Sequence, residues 1–190
     1  MSSSQSRLAP MTLESLTPDQ RAVYDAINRP PRGNLGFNGP YAAYIKAPGI
    51  GGPAQELGAA IRFTVECPEN FQKIASCVVG QYHQAKFEFA AQKPYARKAG
   101  LSESVIEALR TGKTPNFDDP NEHLIYDFCR QLVTVRRVDD DVYARARDRL
   151  GETQLVELVA TIAYYTTVCI TLNAFEVPLA DGMEDPFPDA

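Results

Sequence analysis

Apolar side chains at Phe71, Ala75, Val78, Tyr82, Ala85 and Phe89 recur at alternating four- and three-residue steps. At ~100° per residue they share one face of a helix. The spacing predicts one helix-like run from Phe71 to Gly100 with a dry seam that holds it in the fold, and Gly80 is a point where the run can split. A polar stripe lies beside the seam: Cys77, Gln81, Gln84, Gln92 and Tyr95 fall within ~40° of Glu88, and Lys73 within ~60°. A carboxylate, amides, a thiol, a phenol and an ammonium therefore face one place. Farther on, Leu155, Val156, Leu158, Val159, Ile162, Ala163, Val168, Ile170 and Leu172 cover most of the circumference of a helix from Thr153 to Phe175. A helix apolar all round must be enclosed on several sides, here by the core plus a subunit interface. No run alternates with a period of two between turn signals, so no strand and no repeat is predicted. The class is all-α, a single-domain helical bundle.

Capping and breaking residues divide the chain further. Residues 1–16 read as a flexible N-terminal segment, and Thr17-Pro18-Asp19-Gln20 is a capping box with proline at the first helical position, opening a helix to Asn28. The glycines and prolines between Arg29 and Pro53 predict a loop, with room for one short helix near Tyr41 to Lys46. Helices are expected from Pro53 to Thr64, after Pro68, from Ser102 to Gly112, from the capping box Asp119-Pro120-Asn121-Glu122 to Arg136, from Asp140 to Gly151, and from Thr153 until Pro178 stops the last one. The main domain spans residues 17–182, and 183–190 form an acidic, proline-containing tail.

Composition narrows the function classes. The 190 residues suit one domain with its own core. A net charge of −5 with both signs interspersed gives no basic patch for nucleic-acid phosphates. No segment reads as the roughly 20 apolar residues that cross a bilayer, and the Ser-rich start lacks a signal peptide's apolar core, so a cytoplasmic protein with no membrane partner is expected. The four cysteines, Cys67, Cys77, Cys129 and Cys169, lie far apart in apolar helical patterns, and His83 and His123 are the whole imidazole supply. Buried reduced thiols and no metal site are expected.

Each candidate residue has a bland reading beside the functional one. Glu88 and Gln92, one turn apart, form either a solvated pair or a site in which Glu88 exchanges protons and Gln92 holds a substrate oxygen. Lys73 suits a substrate carboxylate or is a surface lysine. His83 sits ~140° from Glu88 on an unbroken helix and reaches it only if the run breaks. Tyr82 belongs first to the seam, with substrate contact as its alternative; Tyr164 and Tyr165 are core or interface residues unless a phenol turns inward.

Two passages carry a family resemblance. Phe87-Glu88-Phe89-Ala90-Ala91-Gln92-Lys93-Pro94-Tyr95-Ala96-Arg97-Lys98-Ala99-Gly100-Leu101-Ser102, and Glu157 to Tyr165 with Thr171-Leu172-Asn173-Ala174-Phe175, resemble the carboxymuconolactone decarboxylase family, with likeness from about Thr17 to Gly182. The resemblance implies the helical fold shared with the alkylhydroperoxidase D proteins, a homo-oligomer (trimer or hexamer), and a small pocket near a subunit boundary. Thiol members of the family use a Glu followed by C-x-x-C-x-x-x-H; the corresponding residues here are Lys73, Ala85, Glu88 and Gln92, with neither thiol nor imidazole. Non-thiol members keep the Phe87-Glu88-Phe89 pattern, usually with histidine where Gln92 stands, so Glu88 carries over. The implied function is a cofactor-free lyase, decarboxylase or isomerase acting by acid-base chemistry on a small unsaturated carboxylic acid or lactone, with Glu88 as proton carrier; the residue pattern adds His83 as a second catalytic candidate and Lys73, Gln92 and Tyr82 as substrate contacts. A catalytically degenerate binding or scaffold oligomer is the alternative, and a thiol peroxidase a distant third.

Overall fold

The computed structural model describes residues 6–188, which form eight α-helices and no strand. In chain order they are α1 (Pro18–Asn28), α2 (Tyr41–Lys46), α3 (Pro48–Phe63), α4 (Glu69–Tyr82), α5 (Lys86–Lys98), α6 (Glu103–Arg110), α7 (Pro120–Thr134) and α8 (Asp140–Ala174). The first capping box acts as read, while the second caps α7 through Asp119 alone, its Glu122 accepting from Asn70 Nδ2 (2.8 Å) instead of closing the box. The Thr17 hydroxyl accepts from the Gln20 N–H while Gln20 caps the Thr17 N–H, and the Asp119 carboxylate accepts from the Asn121 N–H.

α4 is the axis of the bundle. Every residue from Phe71 to Gly80 is buried, because α5, α6, α7 and α8 all pack on it. The seam is buried as expected at Phe71, Ala75, Val78, Ala85 and Phe89, but Tyr82 departs from it and is 44% exposed. The cause is a chain reversal. The run breaks at His83–Ala85 rather than at Gly80: Gln84 takes a positive φ of 49°, and the Ala85 N–H donates to the Gly80 carbonyl (2.9 Å) while the Gln84 N–H donates to the Gln81 carbonyl (3.0 Å). This is a Schellman closure with glutamine where glycine is usual. α5 then folds back on α4, with Phe89 over Gly80.

α8 is broken at Gly151 (φ 70°, ψ 169°), the residue at which the sequence predicts one helix to end, two before the next begins at Thr153. Contrary to expectation, α8 is long and apolar enough to cross a membrane by length and composition alone, and half of that stretch is buried within the chain. Threonines and tyrosines between its aliphatic residues hid this from a count of unbroken apolar length. Val156, Val159 and Ile170 remain exposed.

α3 starts at Pro48, five residues before the predicted start at Pro53. Two glycines of α3 serve packing. A Cβ on Gly51 would stand 1.9 Å from the Tyr44 carbonyl oxygen, and one on Gly58 2.1 Å from the Tyr164 hydroxyl, so both residues let α3 approach its neighbours. Gly58→Ala is expected to lower stability by about 1–3 kcal/mol, since the overlap outweighs the ~1 kcal/mol that alanine gains in a helix interior. Thermal unfolding checks this, with a midpoint at or above the parent's excluding the close approach.

The described parts of both terminal segments, residues 6–16 and 183–188, take defined places, and residues 189–190 of the tail lie outside the described residues. Residues 1–5 lie outside the described residues, but in the segment expected to be flexible the Arg7 N–H donates to the Phe175 carbonyl (2.9 Å) and its guanidinium pairs with Glu176. In the tail, Phe187 is buried against Phe89 with ring centroids 5.3 Å apart, Arg110 Nη1 donates to the Pro186 carbonyl (2.6 Å), and Lys86 pairs with Asp185 (3.0 Å). The tail is thus part of the wall described next.

Candidate functional site

A groove of about 850 Å³ runs between α5, α8, the loop before α2 and the C-terminal segment. Its floor comes from α5. Because the helix starts at Lys86, Glu88 lies in its first turn and Gln92 one turn later, and both point inward at 4% and 8% exposure. Position in the first turn favours a carboxylate by about 0.3–1 kcal/mol through the helix dipole. Burial outweighs it: the Glu88 carboxyl is pushed up to about 7, with the Gln92 hydrogen bond and the positive charges of Lys73 and Arg62 pulling the other way.

Glu88, Gln92 and Lys73 form one hydrogen-bonded row. Gln92 Nε2 donates to Glu88 Oε1 (2.7 Å), and Lys73 Nζ donates to Gln92 Oε1 (3.4 Å). An ammonium can only donate, which fixes the amide: its oxygen faces Lys73 and its nitrogen faces Glu88. The row cannot conduct a proton, since an amide does not shuttle one. Glu88 must therefore exchange its proton with whatever occupies the groove. Lys73 is buried (6% exposed), lies 5.5 Å over the Tyr95 ring, and is held below the usual lysine range by burial and then by Arg62. It does not line the groove. Its expected contact with substrate is replaced by a contact with Gln92.

Side chains from other elements complete the walls. Tyr164 and Tyr165 on α8 line the groove while being 6% and 3% exposed, and burial raises both phenols well above the usual range, so each stays a proton donor. Tyr165 acts on both Glu88 and Gln92. Tyr41 and Arg62 face the same space from α2 and α3. Sequence reasoning missed Arg62 and Tyr41 as site residues and left the two α8 tyrosines in the core by default. The adjacent tyrosines in the apolar second half of α8 were the available signal.

Two expected site residues stand elsewhere. Tyr82 lines a crevice of about 40 Å³ with Gln81, Lys113 and Arg130, and His83 is the C-cap of α4. The His83 carbonyl accepts from Asn173 Nδ2 (2.7 Å), its ring packs edge-on to Tyr82 (5.1 Å), and burial keeps the imidazole below its ordinary range. Neither lines the groove. The break that was to swing His83 toward Glu88 turns it the other way, because the chain reverses after it. All four thiols are free and buried, and burial pushes Cys67 and Cys77 up to about 12 and Cys129 and Cys169 higher. Among the described residues no three His, Cys, Asp or Glu side chains gather as a metal site would need.

Comparison with known proteins adds one finding. No family model and no curated protein matches the sequence. The structure resembles the crystal structure of the alkylhydroperoxidase AhpD core, an uncharacterised peroxidase-related protein from Ralstonia eutropha JMP134, with a TM-score of 0.75 over 93% of each chain at 12% identity. At that identity the likeness is one of fold. The chain has an all-helical, AhpD-like fold.

Proposed function

We propose that this protein is a cofactor-free enzyme that moves a proton on a small unsaturated carboxylic acid or lactone, in a decarboxylation, elimination or isomerisation. One observation carries the reading: Glu88 is a carboxyl in a groove wall, held near pH 7 by opposing burial and positive charge, which is where a general acid-base group works best. Glu88 takes the proton from the substrate, and the Tyr165 phenol donates a hydrogen bond to the oxygen on which negative charge collects. Gln92, itself held by Lys73, positions the Glu88 carboxyl. The test is hydrogen exchange into crotonate, muconolactone and 4-carboxymuconolactone in deuterated buffer, followed by proton NMR. Enzyme-dependent exchange that Glu88→Gln removes supports the reading; exchange that survives the substitution sinks it.

A catalytically degenerate binding protein is the second reading, favoured by the chain of Lys73, Gln92 and Glu88 standing where the resemblance places a thiol relay. A thiol peroxidase has the least support, since the groove holds no cysteine. Four buried free thiols suit a reducing, cytoplasmic setting.

The proposal includes a homo-oligomer, a trimer or hexamer. Its support is the apolar stripe of Val156 (68% exposed), Val159 (39%) and Ile170 (54%) along α8, continued by exposed Ala163. Residues three, four and seven apart share a helix face, and such a stripe suits a second copy. Val156→Glu with Ile170→Glu should convert the assembly to monomer in sedimentation velocity without unfolding it. An unchanged sedimentation coefficient would place the interface elsewhere.

A further inference from the structure

Among the described residues, Arg62 is the one cation lining the groove that has no counter-ion. Lys93, Arg97 and Arg110, which line the outer groove, face Glu184 (3.8 Å), Glu103 and Glu107 respectively. Arg62 meets no carboxylate within 4.0 Å among the described residues. It stands instead over two aromatic faces, 5.2 Å from the Phe63 ring centroid and 5.5 Å from that of Tyr95, and Tyr41 and Tyr165 lie close enough to act on its charge. Buried Lys73 is a second cation in the same neighbourhood, with Glu88 as their one shared buried carboxyl and the exposed Glu69 acting on Lys73 from outside. With Arg62 unpaired and Glu88 shared between it and Lys73, this part of the groove offers a cation that an anionic ligand would balance.

We infer that Arg62 is the anion-binding residue of the groove, and that its ligand is a planar conjugated carboxylate bearing a ring, whose carboxylate the guanidinium takes at its fork. The inference deepens the proposed function and rests on it for the chemistry at Glu88. Shape sets the class. About 850 Å³ is near the upper end of small-molecule pockets, more than a four- to six-carbon acid fills. Tyr41, Phe87, Tyr95 and Pro40 give flat faces along it. A guanidinium offers a carboxylate two parallel N–H donors in its own plane, so a conjugated acid held there lies along those faces with its unsaturated carbons toward Glu88.

Calorimetry with trans-cinnamate, cinnamamide and acrylate tests this on the full-length protein and on Arg62→Met, Arg62→Lys and Glu88→Gln. Cinnamate should bind. Cinnamamide, of the same shape without the charge, should bind about 10- to 100-fold more weakly, and Arg62→Met should lose about as much, the value of hydrogen bonds to a charged group. Arg62→Lys should recover part of that loss, because it restores charge without the fork. Acrylate should bind about 2- to 10-fold more weakly than cinnamate, for want of ring contact. Glu88→Gln removes the one buried carboxyl that shares Arg62 and should bind cinnamate at least as tightly as the parent. In a readout that needs no variant, cinnamate should shield Arg62 from phenylglyoxal, read by peptide mass. Equal affinity for acid and amide, unchanged affinity in Arg62→Met, no shielding, or no cinnamate binding at about 10 mM would each overturn the inference. Loss of cinnamate binding in Arg62→Met beside full proton exchange in Glu88→Gln would instead remove the catalytic reading and keep Arg62 as the anion site.

Discussion

Glu88→Gln should make the protein more stable at pH 8 by up to about 3 kcal/mol and leave it nearly unchanged at pH 4. Burial raises the Glu88 carboxyl from 4.5 in the unfolded chain to about 7 in the fold. Below pH 4.5 both states hold the proton, and burying a neutral acid adds no ionisation penalty. Between 4.5 and 7 the folded state keeps a proton that the unfolded state has released, so stability falls as pH rises through this window. Above 7 the full cost of the buried carboxylate applies, and a shift of that size corresponds to about 3 kcal/mol at ~1.4 kcal/mol per pH unit. Glutamine has the same shape, can still accept from Gln92 and never ionises. In a chain of this length the gain appears as roughly 6–12 °C in the unfolding midpoint. Urea titrations of both proteins at pH 4, 6 and 8 measure the difference directly, and a difference independent of pH would mean that Glu88 ionises freely in the fold. Such a gain on deleting an ionisable group is the stability-activity trade expected of a site residue.

The fold was legible where local chemistry and packing agree. Gly151 was read as a helix boundary because a positive φ there suits glycine, and the seam from Phe71 to Phe89 was read because burial follows helical spacing. Reading failed where one residue type serves two purposes. Gly51 looks like a breaker but is a contact point for α3, because α2 folds Tyr44 back against it, a packing that the local glycines and prolines do not announce. At Gln84 the reverse held: a glutamine occupies the left-handed cap position, so a turn occurred with no turn residue to announce it, and Tyr82 and His83 were misplaced with it.

The candidate site divides along the same line. Glu88 and Gln92 lie one turn apart, so their partnership is local and could be counted from the sequence. Lys73 reached them for a different reason than helical angle: the reversal at Gln84 lays α5 back along α4 and brings Lys73 to Gln92 across the hairpin. The contributions of α3 and α8 are nonlocal. Nothing near Arg62 or Tyr165 in sequence records that α5 lies opposite, and tertiary packing alone makes an aliphatic helix present a phenol to a carboxyl.

Turnover separates the acid-base mechanism from a thiol mechanism most sharply. Glu88→Gln should lower kcat by about 10² to 10⁴, the usual loss when a general base is removed while its geometry stays. The substrate should bind nearly as before, since the amide keeps the Gln92 hydrogen bond and Arg62 is untouched. Replacing Cys67, Cys77, Cys129 and Cys169 together with alanine or serine should leave kcat within a few-fold of the parent, at a cost in stability because each fills core space. The thiolate is the reactive form of cysteine, and at pH 7 a thiol pushed up to about 12 is ionised in only ~1 molecule in 10⁵. Cys77 gives the severest version of the test, because it lies close enough to Lys73 and Glu88 to feel both charges. Single turnovers of Glu88→Gln and Cys77→Ala, each measured from pH 5 to 9, should show the parent's inflection near 7 retained in the cysteine variant and gone from the glutamine variant. The opposite pattern would assign the chemistry to sulfur and leave Glu88 as a neutral wall of the groove.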